Sequence, residues 1–186
     1  MNVKRLLILI EVFLGTALLA EVRAEMNAYM TKLECINYLP ELITNVSCYL
    51  NKTAAQTNKR TASLYIEFAL TQDVRDVEGV YVLTMKRGSH LTNFTTLKLD
   101  YCHLLSSVES QFLLRMVTTQ VRRVGNLPLE CPFKGNQQYY IRGFTINSKL
   151  IPSYLPEVNF ISDAQINLKD RKACRIIIHG RLFRRH

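Results

Sequence analysis

The chain has 186 residues, 48% of them hydrophobic, with 24 Lys+Arg against 15 Asp+Glu for a formal net charge of +9. At that length one domain is the natural partition, and the apolar fraction suffices for a core, which excludes disordered and collagen-like chains. Five cysteines are too few for a knot held by disulfides alone. The charge is uneven: residues 25–110 carry 8 basic and 9 acidic side chains, whereas residues 111–186 carry 13 and 4. The densest stretch is the last 18 residues, where Lys169, Arg171, Lys172, Arg175, Arg181, Arg184 and Arg185 face only Asp170. A solvated charged edge explains it, and so does an anionic membrane surface, glycan or receptor.

The first 24 residues read as an address. Lys4 and Arg5 supply a positive start, Leu6–Ala20 is a nearly continuous apolar run, and Val22-Arg23-Ala24 offers a cut after Ala24. Fifteen residues fall short of a roughly 30 Å bilayer core, and Glu11 inside the run adds about 2.5 kcal/mol or more. A secretory signal peptide is therefore expected over 1–24, followed by a single secreted, extracellular domain over 25–186. Within the latter, Glu25–Leu50 is the least legible part, although Thr31–Cys35 and Asn45–Leu50 can each form an edge strand.

From Thr61 onward alternation with period two dominates. Leu64, Ile66, Phe68 and Leu70 share one strand face; Tyr81, Leu83 and Met85 repeat the pattern, as do Leu97, Leu99 and Tyr101. Near the end Val158, Phe160, Ala164, Ile166 and Leu168 share a face, and Cys174, Ile176 and Ile178 another. Turn chemistry separates these runs at Asp76–Gly79, Arg87-Gly88-Ser89, Lys134-Gly135-Asn136 and Lys169-Asp170-Arg171. One segment breaks the rhythm. Val108, Phe112, Met116 and Val117 fall at helical spacing, widened by Leu113 and Val121, after a Ser106/Glu109 capping box and before a stop at Gly125-Asn126-Leu127-Pro128. The spacing predicts one amphipathic helix over 107–123, laid on six or seven short strands. With no βαβ alternation in view, a mainly β, two-sheet sandwich follows.

All five cysteines, Cys35, Cys48, Cys102, Cys131 and Cys174, lie after the cut, and none belongs to a Cys-x-x-Cys or zinc-spaced cluster, so no metal site is expected. In an oxidising compartment two disulfides and one leftover thiol are the simplest count. Sequons at Asn45, Asn51 and Asn93 suit the same compartment and make the chain a candidate glycoprotein.

The motifs Val46-Ser47-Cys48-Tyr49-Leu50-Asn51, Leu99-Asp100-Tyr101-Cys102-His103-Leu104-Leu105, Leu127-Pro128-Leu129-Glu130-Cys131-Pro132-Phe133, Tyr139-Tyr140-Ile141-Arg142-Gly143-Phe144-Thr145 and Ile151-Pro152-Ser153-Tyr154-Leu155-Pro156, in this order, resemble the fly secreted family called domain of unknown function 1091. That family is regarded as akin to the CheB gustatory-bristle proteins and to the ML lipid-recognition domains, which include the ganglioside activator. The resemblance spans roughly Cys35 to Leu182. It implies an immunoglobulin-like, ML-like sandwich whose sheets splay to admit an apolar ligand, with no catalytic residue and no cofactor. It also implies that Cys102 pairs with Cys131. Cys174 is not a regular family position, which leaves two arrangements: Cys35 with Cys48 and a free Cys174 buried on the Ile176/Ile178 face, or Cys35 with Cys174 joining the first strand to the last.

A pocket and a packed core share one sequence signature, so the pocket expectation rests on the resemblance. Phe68, Leu83, Leu99, Tyr101, Phe144, Phe160 and Ile166 are the residues that would line it. The four histidines, His90, His103, His179 and His186, are scattered outside any catalytic motif. Secretion and the lack of a recognised binding module argue against nucleic acid. The expectation is a secreted, monomeric, non-enzymatic carrier of a hydrophobic small molecule or lipid, such as a cuticular hydrocarbon or pheromone in a chemosensory setting. The alternative is a secreted interaction module with a filled core, whose basic C-terminal region engages an anionic surface or receptor.

Overall fold

The period-two segments form strands that pair antiparallel throughout. The computed structural model describes residues 25–54, 60–106 and 112–185; the expected signal peptide lies outside them. The strands are β1 (Glu25–Asn37), β2 (Ile43–Ala54), β3 (Arg60–Leu70), β4 (Val77–Arg87), β5 (His90–Asp100), β6 (Gln138–Phe144), β7 (Val158–Leu168) and β8 (Arg171–Arg185). Helices α1 (Tyr101–Ser106) and α2 (Phe112–Val124) lie between β5 and β6, and a short 3-10 turn covers Ser148–Leu150. One sheet has the order β1-β8-β7-β4-β5, the other β2-β3-β6. The described residues thus hold eight strands, several longer than the short ones expected, and both poorly legible N-terminal segments are edge strands.

Two sequence expectations are corrected. Asp76–Gly79 is not a turn: β4 begins at Val77, and Gly79 is a strand residue paired with Leu99 and Ile166. A Cβ there would run into the Gln165 carbonyl and the Tyr101 ring, so the glycine serves close approach and not a bend. Tyr101 does not continue β5 but opens α1, because the Asp100 side chain accepts a hydrogen bond from the His103 amide at 3.0 Å and caps a new helix. The expected single helix over 107–123 is α2, whose described start is Phe112; residues 107–111, including Val108 and Glu109, lie outside the described residues. Its stop is a docking point. Asn126 accepts from the Tyr140 amide at 2.6 Å and donates to the Gln138 carbonyl at 2.9 Å, while a Cβ on Gly125 would lie 2.8 Å from the Tyr140 carbonyl.

The hairpins follow their turn chemistry. Lys169 and Asp170 both adopt positive φ, 48° and 63°, in the two-residue link of β7 to β8, the backbone of the turn that matches strand twist. Gly88, with φ 61°, turns β4 into β5. Gly143, with φ 79°, sits at a register shift where Leu64 opposes Phe144 but Tyr65 opposes Arg142, a glycine bulge.

Pairing places one set of side chains abreast on the inner face of the large sheet: Leu97, Tyr81, Ala164, Ile176 and Cys35 in one row. Leu99, Gly79, Ile166, Cys174 and Asn37 form the row on one side, and Thr95, Leu83, Ser162, Ile178 and Leu33 the row on the other. Further along, the Phe160 ring lies across Gly180, where a Cβ would collide with it. Leu64, Ile66 and Phe144 of the small sheet pack with Met30, Leu33, Ile176 and Ile178 of the large one. Each such side chain contributes about 1.5–3 kcal/mol on full burial. Cys35–Cys48 joins β1 to β2 across the two sheets, Cys102–Cys131 ties α1 to the chain that follows α2, and Cys174 is free. The segment after Cys131 is pinned again: Val74 and Phe133 exchange two 2.8 Å backbone bonds, and Asp73 accepts from the Gly135 amide at 2.8 Å.

Candidate functional site

A cavity of about 450 Å³ lies between the sheets, within the range of small-molecule sites. Its walls come from both sheets and from α2, which contributes Leu114, Met116, Val117, Thr118 and Val121. The helix can face an apolar space there because its one buried polar side chain satisfies itself: the Thr118 hydroxyl donates to the Leu114 carbonyl at 2.9 Å. All seven residues singled out from the sequence, Phe68, Leu83, Leu99, Tyr101, Phe144, Phe160 and Ile166, line this cavity. At one end stands the loop Ile151–Leu155, whose Tyr154 lines the cavity yet is 81% exposed and so marks its rim.

Part of the wall is polar, and of its residues only Tyr101 is among those singled out from the sequence. The Tyr81 and Ser162 hydroxyls lie 3.2 Å apart on neighbouring strands. Tyr101, laid over Gly79, and Cys174, one row from Tyr81, both line the same space. Burial pushes the Tyr101 phenol well above its usual range, with Cys174 and Tyr81 adding to the effect. Burial raises Tyr81 too, opposed by the Ser162 bond. The Cys174 thiol is pushed up to about 11 by burial alone. Cys174 keeps accessible surface because it borders the void. At neutral pH all four groups are uncharged. One signal did exist in the sequence: Ser162 occupies an inward slot between Phe160 and Ala164, where alternation calls for an apolar side chain.

Arg175 is the one basic residue among the described lining residues, and Asp163 holds its guanidinium through two nitrogens, at 2.9 and 2.5 Å. Other basic residues of β8 are likewise paired with distant acids: Arg171 with Glu41 at 2.9 Å and Arg181 with Glu157 at 3.9 Å. His179 Nε2 lies 3.4 Å from Glu34, His90 and His103 are exposed, and His186 is outside the described residues. Among the described residues no group of three or more His, Cys, Asp or Glu side chains is placed to hold a metal, and no helix is long and apolar enough to cross a membrane. The sequon asparagines Asn45, Asn51 and Asn93 are all exposed, the first two on edge strand β2 and the third on edge strand β5, where its amide donates to Thr96 at 2.8 Å.

The comparison with curated proteins finds no match. Residues 80–162, which run from within β4 through both helices and β6 into β7 and so include Tyr81, Tyr101 and Ser162, match the family described as "Protein of unknown function (DUF1091)", in agreement with the resemblance carried by the sequence motifs.

Proposed function

We propose that the protein is a secreted, monomeric, non-enzymatic carrier that holds a hydrophobic small molecule between its two sheets. The observation that carries this reading is the 450 Å³ space lined almost wholly by apolar side chains from both sheets and α2. Burial of an alkyl chain there is worth about 0.8 kcal/mol per methylene, enough for a chain of moderate length to outweigh the entropy lost on binding. Kinship with the CheB and ML lipid-recognition proteins, the immunoglobulin-like class of the sandwich, and a chemosensory role for a lipid, cuticular hydrocarbon or pheromone ligand belong to the same proposal. The two disulfides and the exposed sequon asparagines support an extracellular setting and a glycosylated chain. The competing reading, a filled module engaging an anionic surface through β8, is weakened because Arg171, Arg175 and Arg181 are already paired with acids of this chain.

The test is to purify the protein from a eukaryotic secretory host, extract it with organic solvent and analyse the extract by mass spectrometry. After delipidation the neutral probe N-phenyl-1-naphthylamine is titrated in. Co-purifying lipid and saturable probe fluorescence are expected; a clean extract together with no probe uptake would overturn the reading.

A further inference from the structure

Tyr101 brings a phenol to a wall made mostly of hydrocarbon. It is half-buried, lines the cavity and lies against the backbone at Gly79. A polar group on an apolar wall favours a ligand that brings it a hydrogen-bonding partner. On the same wall stand the Cys174 thiol and the Tyr81–Ser162 hydroxyl pair, spread over three successive rows of the inner face of the large sheet with Tyr81 in the middle one.

We propose that Tyr101, flanked by Tyr81, Ser162 and Cys174, forms a polar subsite that receives the neutral oxygen of an otherwise apolar ligand: a long-chain alcohol, ketone or ester, in preference to a plain hydrocarbon or an ionised fatty acid. The inference deepens the carrier reading and rests on it. A phenol can donate to a carbonyl or ether oxygen and can also accept from an alcohol, so any neutral oxygen function pairs with it. A plain alkane leaves the phenol unpaired. An ionised carboxylate needs a cation or several donors to repay its desolvation, yet the guanidinium of Arg175 is held by Asp163. Glycine at position 79 belongs to the same arrangement, since a Cβ there would collide with the Gln165 carbonyl and crowd the Tyr101 ring at 3.0 Å.

The test uses the delipidated full chain loaded with N-phenyl-1-naphthylamine and measures displacement by decan-1-ol, decane and decanoate at pH 8. In the wild type decanol is expected to displace the probe best. Tyr101→Phe should weaken decanol by about fivefold, the scale of one net hydrogen bond, and leave decane unchanged or tighter. Ser162→Ala, which keeps every ring in place, should weaken decanol by about twofold in the same direction. If both variants leave decanol unchanged, or weaken decanol and decane alike, the subsite is overturned while the carrier reading stands. Decanoate binding as tightly as decanol overturns the preference for a neutral oxygen. Failure of all three competitors and of the probe itself overturns the carrier reading and the subsite together.

Discussion

Ala164 offers a direct physical test of whether the space between the sheets is a void. It lies on the inner face of β7, flanked by Tyr81 and Ile176 and bordering the cavity. Ala164→Leu adds three carbons at that point. If they enter empty apolar space, they contribute about 0.8 kcal/mol each, so the delipidated protein should gain about 2 kcal/mol. In a core packed to ordinary density the same change forces neighbours apart and costs about 1–3 kcal/mol. The two possibilities differ in sign. Urea denaturation of delipidated wild type and variant measures the difference, with an unchanged m-value as the check that the unfolded states are comparable. Heating should show a rise in Tm of roughly 4–8 °C for a chain of this size. Because the added carbons take space from the ligand, probe affinity should fall in parallel. A loss of 1 kcal/mol or more with probe affinity retained would refute the reasoning.

Other expectations are simpler. At the β7–β8 turn, the pair Lys169→Asn and Asp170→Gly should stabilise the protein by about 1 kcal/mol in urea denaturation, since positive φ suits Asn-Gly better than Lys-Asp; no gain would count against that turn conformation. With its thiol pushed up to about 11, native Cys174 should react with iodoacetamide at pH 8 about a hundredfold more slowly than the same thiol in urea, and equal rates would place it outside the cavity wall. The carboxyls of Asp73 and Glu67 are held below the ordinary carboxylate range, Asp73 first by the Gly135 amide and then by Lys134, Glu67 first by Arg142. A depressed carboxyl stabilises the fold above its unfolded pKa and loses that contribution as pH falls through the folded one. The urea midpoint should therefore decline below about pH 4, and Asp73→Asn should flatten the decline.

The alternating strands after Thr61 were readable because each presents a face to a core or a cavity, and both demand the same alternation. For the same reason the void itself was not readable: Leu83 bordering empty space and Leu83 packed against the opposite sheet have identical sequence neighbourhoods. The misreadings trace to long-range causes. Gly79 looked like a turn residue because Asp76 precedes it, but its role is set first by the Gln165 carbonyl of the neighbouring strand and then by the ring of Tyr101, both far away in the chain. The turn into α1 was signalled locally, by Asp100 three residues before His103, yet the alternation of Leu97 and Leu99 ran past it. The basic end looked unbalanced because its acids lie before it, Glu41 and Glu157 at a distance in sequence and Asp163 across the β7–β8 hairpin, and meet it only through strand pairing and loop packing.

Gly180 gives the cavity a handle for change that touches no ligand. The Phe160 ring rests where a side chain at position 180 would stand. A single methyl added there would tilt that ring into the void and trim it from behind, leaving the identity of every lining residue as it was. Relatives of this chain could thus shift the size of molecule they accept through a backbone-facing position, with the hydrogen-bonding groups of the wall kept intact.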